Sequence, residues 1–268
     1  MKNLNLKGKI AIVTGASSGI GKEIATLLVK KYGCIVYGIG RNLPRLDVMR
    51  EELGPENFLC SVMDVTDKHS WEKMANYFTN WNTSPTILIN CAGMLPKFSS
   101  VENAELEEIE GVLSVNYLSA VYACKYIMPV MEKGGAVVNI SSASALCPFA
   151  GVAAYSASKA ALERFSECLA YERRDIRVSC VMPGFVKTNI MKNQSATEKD
   201  KGLINFFSAD ATKTAKRILR RVVRRKRRIV VGKDAHFMSF MFRAFPRLAP
   251  RFFSWVIKKS GLELFKSV

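Results

Sequence analysis

The sequence holds only two histidines, His69 and His236, far apart and outside every motif discussed below, so a histidine-built metal centre or catalytic triad has no basis. Its seven cysteines (Cys34, Cys60, Cys91, Cys124, Cys147, Cys168 and Cys180) are odd in number, scattered, and never spaced C-x-x-C. That argues against both a zinc site and a disulfide framework, and it fits a reducing compartment. There is no run of 18 uncharged apolar residues, so no transmembrane helix is expected. The N-terminus lacks the apolar core of a signal peptide and enters a strand pattern at Ile10, and a cytoplasmic location is expected. Acidic residues are scarce as well, 23 against 40 Lys plus Arg, for a net charge of +17.

What is present is a chain of 268 residues with 49% hydrophobic and 24% charged residues, an ordinary globular balance that excludes wholesale disorder and supplies a sizeable core. The charge is unevenly placed. Residues 1–200 carry 22 basic and 20 acidic side chains, whereas residues 201–268 carry 18 and 3, and nine of the fifteen phenylalanines lie in that last quarter. A basic excess of this kind signals an anionic partner, and its position separates that partner from the body of the chain.

Short apolar runs recur at Ile10–Val13, Cys34–Ile39, Phe58–Met63, Ile87–Ile89, Ala136–Ile140, Val178–Met182 and Ile229–Val231. Helical spacing fills Ile20–Lys31, Ser70–Trp81, Leu106–Met131, Ala153–Arg173 and Thr212–Arg225 between them. Alternating strands and helices predict an α/β fold: a Rossmann-like, doubly wound parallel sheet of about seven strands with helices on both faces. Residues 1–234 form the predicted catalytic domain, with a substrate loop over 185–209, and residues 235–268 a basic and aromatic helical extension.

The first strand runs into Gly15, Ser17, Ser18, Gly19, Ile20 and Gly21, a glycine-rich strand-to-helix turn of the kind that lets a backbone approach a pyrophosphate at a helix N-terminus. After the second strand, Gly40, Arg41 and Asn42 stand where an acidic residue would bind the ribose of NAD; a guanidinium there fits a 2′-phosphate, so NADP is expected over NAD. Asp64 and Val65 follow the third strand and could bracket an adenine, the plainer reading of Asp64 being a helix cap. Tyr155 and Lys159 are four residues apart on a predicted helix, so a cation can sit beside a phenol and favour its ionised form. Ser142 lies at the C-terminal end of the strand Ala136–Ile140, where open parallel sheets place their ligands.

With TGASSGIG at 14–21, DV at 64–65, NCAG at 90–93, Asn116, SS at 141–142, YSASK at 155–159 and PGFVKT at 183–188, in that order, the sequence resembles a one-domain short-chain dehydrogenase/reductase from residue 8 to about 232. The resemblance implies that Tyr155 is the acid/base for a substrate oxygen, that Ser142 hydrogen-bonds that oxygen with Ser141 as the neighbouring alternative, and that Lys159 lowers the pKa of Tyr155 and holds the nicotinamide ribose. Asn116 would anchor a relay water. Gly15, Ser17, Ser18, Gly19, Ile20, Gly21, Arg41, Asn42, Asp64, Val65, Asn90, Ala92, Gly93, Pro183, Gly184, Val186 and Thr188 would line the cofactor cleft with Tyr155 and Lys159. Cys91 replaces the asparagine usual in the third motif. Homo-oligomers, dimers or tetramers, are common among such relatives.

Two apolar segments follow these motifs. Leu146, Cys147, Pro148, Phe149 and Val152 form one, and Phe185, Ile190, Met191, Leu203, Ile204, Phe206 and Phe207 populate the other. With Phe149 and Phe185 beside Ser142 and Tyr155, they suit a steroid-, acyl- or retinoid-like alcohol or ketone, unless they only pack a lid on the sheet. A 3-oxoacyl-thioester reductase is the competing activity, and a silent protein that keeps the fold is the non-enzymatic one. In the extension, Arg243, Arg247 and Arg251 recur at four-residue spacing among Phe, Trp and Met, and Pro246 and Pro250 are expected to break the helix. This pattern describes an element resting on the cytoplasmic face of an anionic membrane, with a substrate lid or a subunit interface as soluble alternatives. Nucleic acid is not an expected partner, because no binding motif accompanies the charge.

Overall fold

A computed structural model of the chain describes residues 4–147, 150–188, 190 and 208–260. Seven parallel strands form one sheet in the order β3-β2-β1-β4-β5-β6-β7. They are β1 (Ile10–Thr14), β2 (Ile35–Gly40), β3 (Phe58–Val62), β4 (Pro85–Asn90), β5 (Ala136–Ile140), β6 (Arg177–Pro183) and β7 (Arg228–Val231). The first three run outward from β1 in one direction and the last four in the other, so the strand order reverses between β1 and β4. The C-terminal ends of those two strands open the crevice where folds of this type hold ligands.

One face of the sheet is covered by α1 (Gly19–Lys30), α2 (Leu43–Leu53) and α7 (Ala211–Val223), which bury Ile24, Leu28, Leu46, Met49, Ile218 and Leu219 against it. The opposite face carries α3 (Lys68–Asn80), α5 (Ser119–Ile127) and α6 (Ala153–Glu172), with Trp71, Phe78, Ile127 and Leu169 in its core. Burial of each such side chain stabilises the fold by about 1.5–3 kcal/mol. Because both faces are covered, β4 and β5 are buried at every residue, which is why their sequences are mostly apolar and do not alternate, with Thr86, Asn90 and Asn139 buried among the apolar side chains.

The helical pattern over Leu106–Met131 is not one regular helix. It comprises α4 (Leu106–Leu113), a π turn over Ser114–Leu118, α5, and a final 3₁₀ turn over Met128–Val130 that contains Pro129. The π turn's wider ring swings Asn116 inward, where it is 1% exposed. Helix α2 has too weak an apolar stripe to be read from spacing. It is started by Asn42, whose Oδ1 accepts the Arg45 N–H at 3.0 Å, and by Pro44 in the first turn.

The extension forms α8 (Lys233–Ala244) and α9 (Ala249–Ser260), interrupted around Pro246; Pro250 does not break the helix but lies in the first turn of α9, where a proline is tolerated. Ala235, Met238, Ala249 and Phe253 pack with Ala143, Cys147, Met182 and Val230. The extension therefore shares a core with the turn that follows Ser142. Cys147 is fully buried there, and the partly buried Leu146 packs against the same cluster, so these two residues join the extension to the sheet. Pro148, Phe149 and residues 191–207 of the substrate loop lie outside the described residues. Among those described, no helix is long and apolar enough to cross a membrane.

Candidate active site

The glycine-rich turn is shaped by steric necessity. Gly15 has φ +67°, and a Cβ there would stand 3.1 Å from the Cα of Ala92; a Cβ on Gly21 would be 2.3 Å from the Gly15 oxygen. The first turn of α1 therefore lies directly on the end of β1. Ser18 occupies the N-cap of α1 without a side-chain cap bond, and no acidic residue follows in the first turn. By contrast, α2, α3 and α7 are closed by Asn42, Asp67 and Asp210, each accepting backbone N–H bonds. Of these four helices only α1 keeps its N-terminal N–H groups unclaimed by a side-chain cap, as an anion held at that end requires.

Around the neighbouring strand ends, Ser17 sits beside Gly40, 3.2 Å from where a Cβ would be, and Arg41 is exposed. Asp64 accepts both the N–H and the hydroxyl of Thr66, at 2.9 and 2.8 Å. These bonds, with a smaller contribution from the Arg41 charge, hold its carboxyl below the ordinary range. Asp64 thus fixes its own turn, and Asp67, not Asp64, caps α3. Val65 is buried, and its carbonyl accepts the indole N–H of Trp71 at 2.9 Å.

At the end of β4, Asn90 donates to Asn139 Oδ1 at 2.8 Å, and Asn139 donates to Ser166 at 2.8 Å. The Oδ1 of Asn90 is buried with no partner in the structure. Gly93 leaves the space between two polar atoms open, since a Cβ there would be 3.2 Å from Asn116 Oδ1 and 3.5 Å from Lys159 Nζ.

The polar groups converge at the end of β5. Ser141 is buried and donates to the Lys159 carbonyl at 2.8 Å, so its hydroxyl belongs to the scaffold. The hydroxyl of Ser142 is part-exposed, accepts the Ser144 N–H at 3.2 Å, and hydrogen-bonds the phenol of Tyr155. This geometry separates the two adjacent serines by role. Burial pushes the Tyr155 phenol above its usual value, and the Ser142 bond pulls it the other way. The Nζ of Lys159 donates to the Ile140 carbonyl at 3.0 Å and lies 5.8 Å from the centre of the Tyr155 ring; burial brings its pKa down to about 8. In this state desolvation therefore outweighs any lowering of the phenol by the neighbouring amine. Asn116 accepts the Met94 N–H at 2.8 Å and donates to the Met94 carbonyl and to Ser158 Oγ, at 2.9 and 3.1 Å. Residues 9–199 match the short chain dehydrogenase family.

The chain belongs to the short-chain dehydrogenase/reductase family, a family of oxidoreductases. It is 30% identical to benzil reductase ((S)-benzoin forming) of Saccharomyces cerevisiae, over 73% of this chain and 78% of that one. It is 32% identical to 11-beta-hydroxysteroid dehydrogenase-like 3 of Arabidopsis thaliana, over 83% and 74%. It is 35% identical to 3-oxoacyl-[acyl-carrier-protein] reductase of Rattus norvegicus, over 69% and 78%. The crystal structure of a short-chain dehydrogenase from Streptomyces avermitilis superposes with a TM-score of 0.80 at 28% identity, over 96% of this chain and 99% of that one.

Several supports of this dehydrogenase site were not apparent from its motifs. The hydroxyl of Thr14 accepts the N–H groups of both Cys91 and Ala92 at 2.9 Å, clamping β1 to the β4 exit. Ser158 donates to the Tyr155 carbonyl at 2.7 Å and joins Asn116 to the same helix. Asp234, at the start of α8, accepts the Phe185 N–H at 2.7 Å, and its carboxyl fills the space where a Cβ on Gly184 would stand. The Gly184 N–H is itself held by the Val231 carbonyl, Pro183 ends β6, and Val186 forms an isolated bridge with Ala209. Thr188 lies over the glycine turn, its Cγ2 3.1 Å from where a Cβ on Gly19 would be. Thr14 is part of the TG pair, but Asp234 lies 49 residues from its partner, and no local pattern marks it.

Proposed function

We propose that the protein interconverts a secondary alcohol and a ketone with NADP(H), on a hydrophobic substrate. The observation that carries this reading is Lys159 Nζ 5.8 Å from the centre of the Tyr155 ring, with Ser142 beside the phenol and Asn116 tied to the same helix through Ser158. The uncapped start of α1, the open space at Gly93 and the unpaired Oδ1 of Asn90 fit a dinucleotide laid across the crevice. Gly15, Ser17, Gly19, Ile20 and Gly21 would hold its pyrophosphate, Arg41 its 2′-phosphate, and Asn90 through Gly93, Lys159 and Thr188 its nicotinamide half. When bound, the cofactor supplies or takes up the hydride.

The protein's part is to position and to move a proton. Ser142 hydrogen-bonds the substrate oxygen and holds it against Tyr155. The phenol gives its proton to that oxygen in reduction and removes one in oxidation. Burial holds the phenol above its ordinary value, so it is protonated at neutral pH and can serve as the donor when the carbonyl is reduced. Lys159 keeps an amine next to the ring through its bond to the Ile140 carbonyl, and Asn116 fixes the Met94 turn that walls the site. The exposed ring of Phe185 and the apolar residues of the loop that follows favour an apolar ketone. Similarity to benzil reductase and to an 11-beta-hydroxysteroid dehydrogenase-like protein points the same way, whereas similarity to a 3-oxoacyl-[acyl-carrier-protein] reductase keeps thioester reduction as the second reading.

The test is Tyr155→Phe, assayed by NADPH oxidation with a panel of aromatic, steroidal, 3-oxoacyl-thioester and sugar carbonyls. Turnover is expected to fall on the order of 10²–10⁴-fold. Undiminished turnover refutes the assignment of Tyr155, and activity confined to small polar sugars refutes the hydrophobic substrate.

A further inference from the structure

Helices α8 and α9 have two unlike faces. The inner one, Ala235, Met238, Ala249 and Phe253, is buried against the turn that follows Ser142. The outer one shows Phe237, Phe240, Phe245, Leu248, Phe252, Trp255 and Val256, each between 39 and 62% exposed. Seven large apolar side chains exposed within twenty residues exceed the scattered exposure normal on a soluble surface. Three of them meet around Phe253, which itself belongs to the buried side. Phe237 packs edge-on to Phe253 at 6.1 Å between ring centres, Phe253 to Phe252 at 5.5 Å, and Phe252 lies 6.4 Å from Trp255. Phe240 lies one turn beyond Phe237 on the same side of α8.

The charge around this patch has one sign. The sequence has no acidic residue between Asp234 and Glu263, and no carboxylate among the described residues pairs with Arg243, Arg247 or Arg251. Lys259 lies 4.9 Å above the Trp255 ring, and a shallow groove of about 770 Å³ between the two helices is lined by Phe245, Pro246, Arg247, Leu248, Pro250 and Arg251. Arginines set among aromatic rings on short helices that cannot span a bilayer are the composition of an element lying in a membrane interface.

We propose that the outer face of α8 and α9 docks on an anionic lipid bilayer, with the aromatic rings at the headgroup boundary and Arg243, Arg247 and Arg251 on lipid phosphates. Charge selects this occupant over a second copy of the chain. A symmetric dimer would bring the same cationic patch against itself, with no acid on either side to answer it.

The test is co-sedimentation of the full chain with vesicles of phosphatidylcholine alone and of phosphatidylcholine mixed with phosphatidylglycerol. It compares the parent protein, F240S/W255S and R243Q/R247Q/R251Q, with circular dichroism and NADPH binding checked for each. The parent should pellet with the anionic vesicles and release at high salt. Each arginine near the surface is worth about fivefold in partition, so the triple variant should lose on the order of a hundredfold. Removing two exposed rings should also cost more than tenfold. Equal pelleting of all three proteins, or of the parent on both kinds of vesicle, overturns the proposal. Sedimentation velocity covers the rival occupant: patch variants that change the mass of the particle while leaving vesicle binding intact assign the surface to a contact between copies. Neither readout depends on turnover, so the result stands apart from the proposed reaction.

Discussion

Replacing Lys159 by methionine should make the cofactor-free protein more stable at neutral pH while removing its activity. Lys159 is 4% exposed and makes one hydrogen bond, to the Ile140 carbonyl. Its pKa in the folded protein is about 8, against 10.5 for an ordinary lysine. Below pH 8 the amine is charged in both the folded and unfolded chain, and the folded state carries the full cost of burying that charge. At about 1.4 kcal/mol per unit, the difference of roughly 2.5 units amounts to about 3 kcal/mol. Methionine removes this cost and forfeits the bond to Ile140, worth about 1 kcal/mol. The net gain at pH 7 is about 2 kcal/mol, or roughly 4–8 °C in Tm for a chain of this size.

The pH dependence carries the sharper test. Between about pH 8 and 10.5 the unfolded chain binds more protons at this position than the folded one, so the parent gains stability as pH rises, and the variant lacks this gain. Above that window the parent keeps its hydrogen bond with no charge to bury, and it should overtake the variant by about 1 kcal/mol. Urea denaturation of both proteins from pH 6.5 to 10.5, followed by circular dichroism, measures the difference directly. A variant less stable than the parent at pH 7, or a gap that does not narrow across the window, would refute the assignment of a desolvated amine at 159.

Arg41→Ser should lower kcat/KM with NADPH by on the order of tenfold to a hundredfold and leave kcat/KM with NADH nearly unchanged, because only the charge-assisted bonds to the 2′-phosphate are removed; equal losses with both cofactors would rule out that role. Oxidation of an alcohol substrate should accelerate from pH 7 to 10, since it needs the phenolate of a Tyr155 whose pKa is raised by burial, whereas reduction should hold across neutral pH; an oxidation rate that falls over that range contradicts the acid/base assignment. Asp234→Ala removes the acceptor of the Phe185 N–H and should raise KM for the carbonyl substrate about tenfold while the NADPH dissociation constant stays within about twofold, read by steady-state kinetics and fluorescence titration.

The sheet was legible because both of its faces are covered: strands such as β4 and β5 are buried at every position, and their mostly apolar runs stand out between helical segments. Boundaries shifted by one or two residues where a polar residue such as Thr14 or Asn90 still belongs to its strand. Helix α2 escaped notice because it rests on a cap and a proline more than on an apolar face. The π turn escaped because one extra residue does not alter the 3.6-residue pattern enough to register, although it is what brings Asn116 inside. Within the site, the residue types of Ser142, Tyr155 and Lys159 were readable, but their protonation was not. Spacing alone puts a cation next to a phenol and predicts a lowered tyrosine, whereas the folded chain buries both groups. Asp64 was open to two readings from sequence, and the structure removes one of them: its carboxyl holds a local turn through Thr66, while Asp67 caps the helix.

The uneven charge takes on a structural meaning once Asp234 is located. It is the only acidic residue from 211 to 262, and it is turned inward, accepting the Phe185 N–H and occupying the space beside Gly184 and Gly232. The carboxylate that could have offset Arg243, Arg247 and Arg251 instead fixes the turn at which β6 leaves the sheet. One residue thus leaves the outer face of the extension purely cationic and couples that extension to the wall of the site. Glycine at 184 follows from the same contact, because a side chain there would collide with the Asp234 carboxyl. A basic tail appended only for its charge would not need its first helix to begin on a tie to the turn at the end of β6. The tie makes the position of Phe185 depend on how α8 is seated.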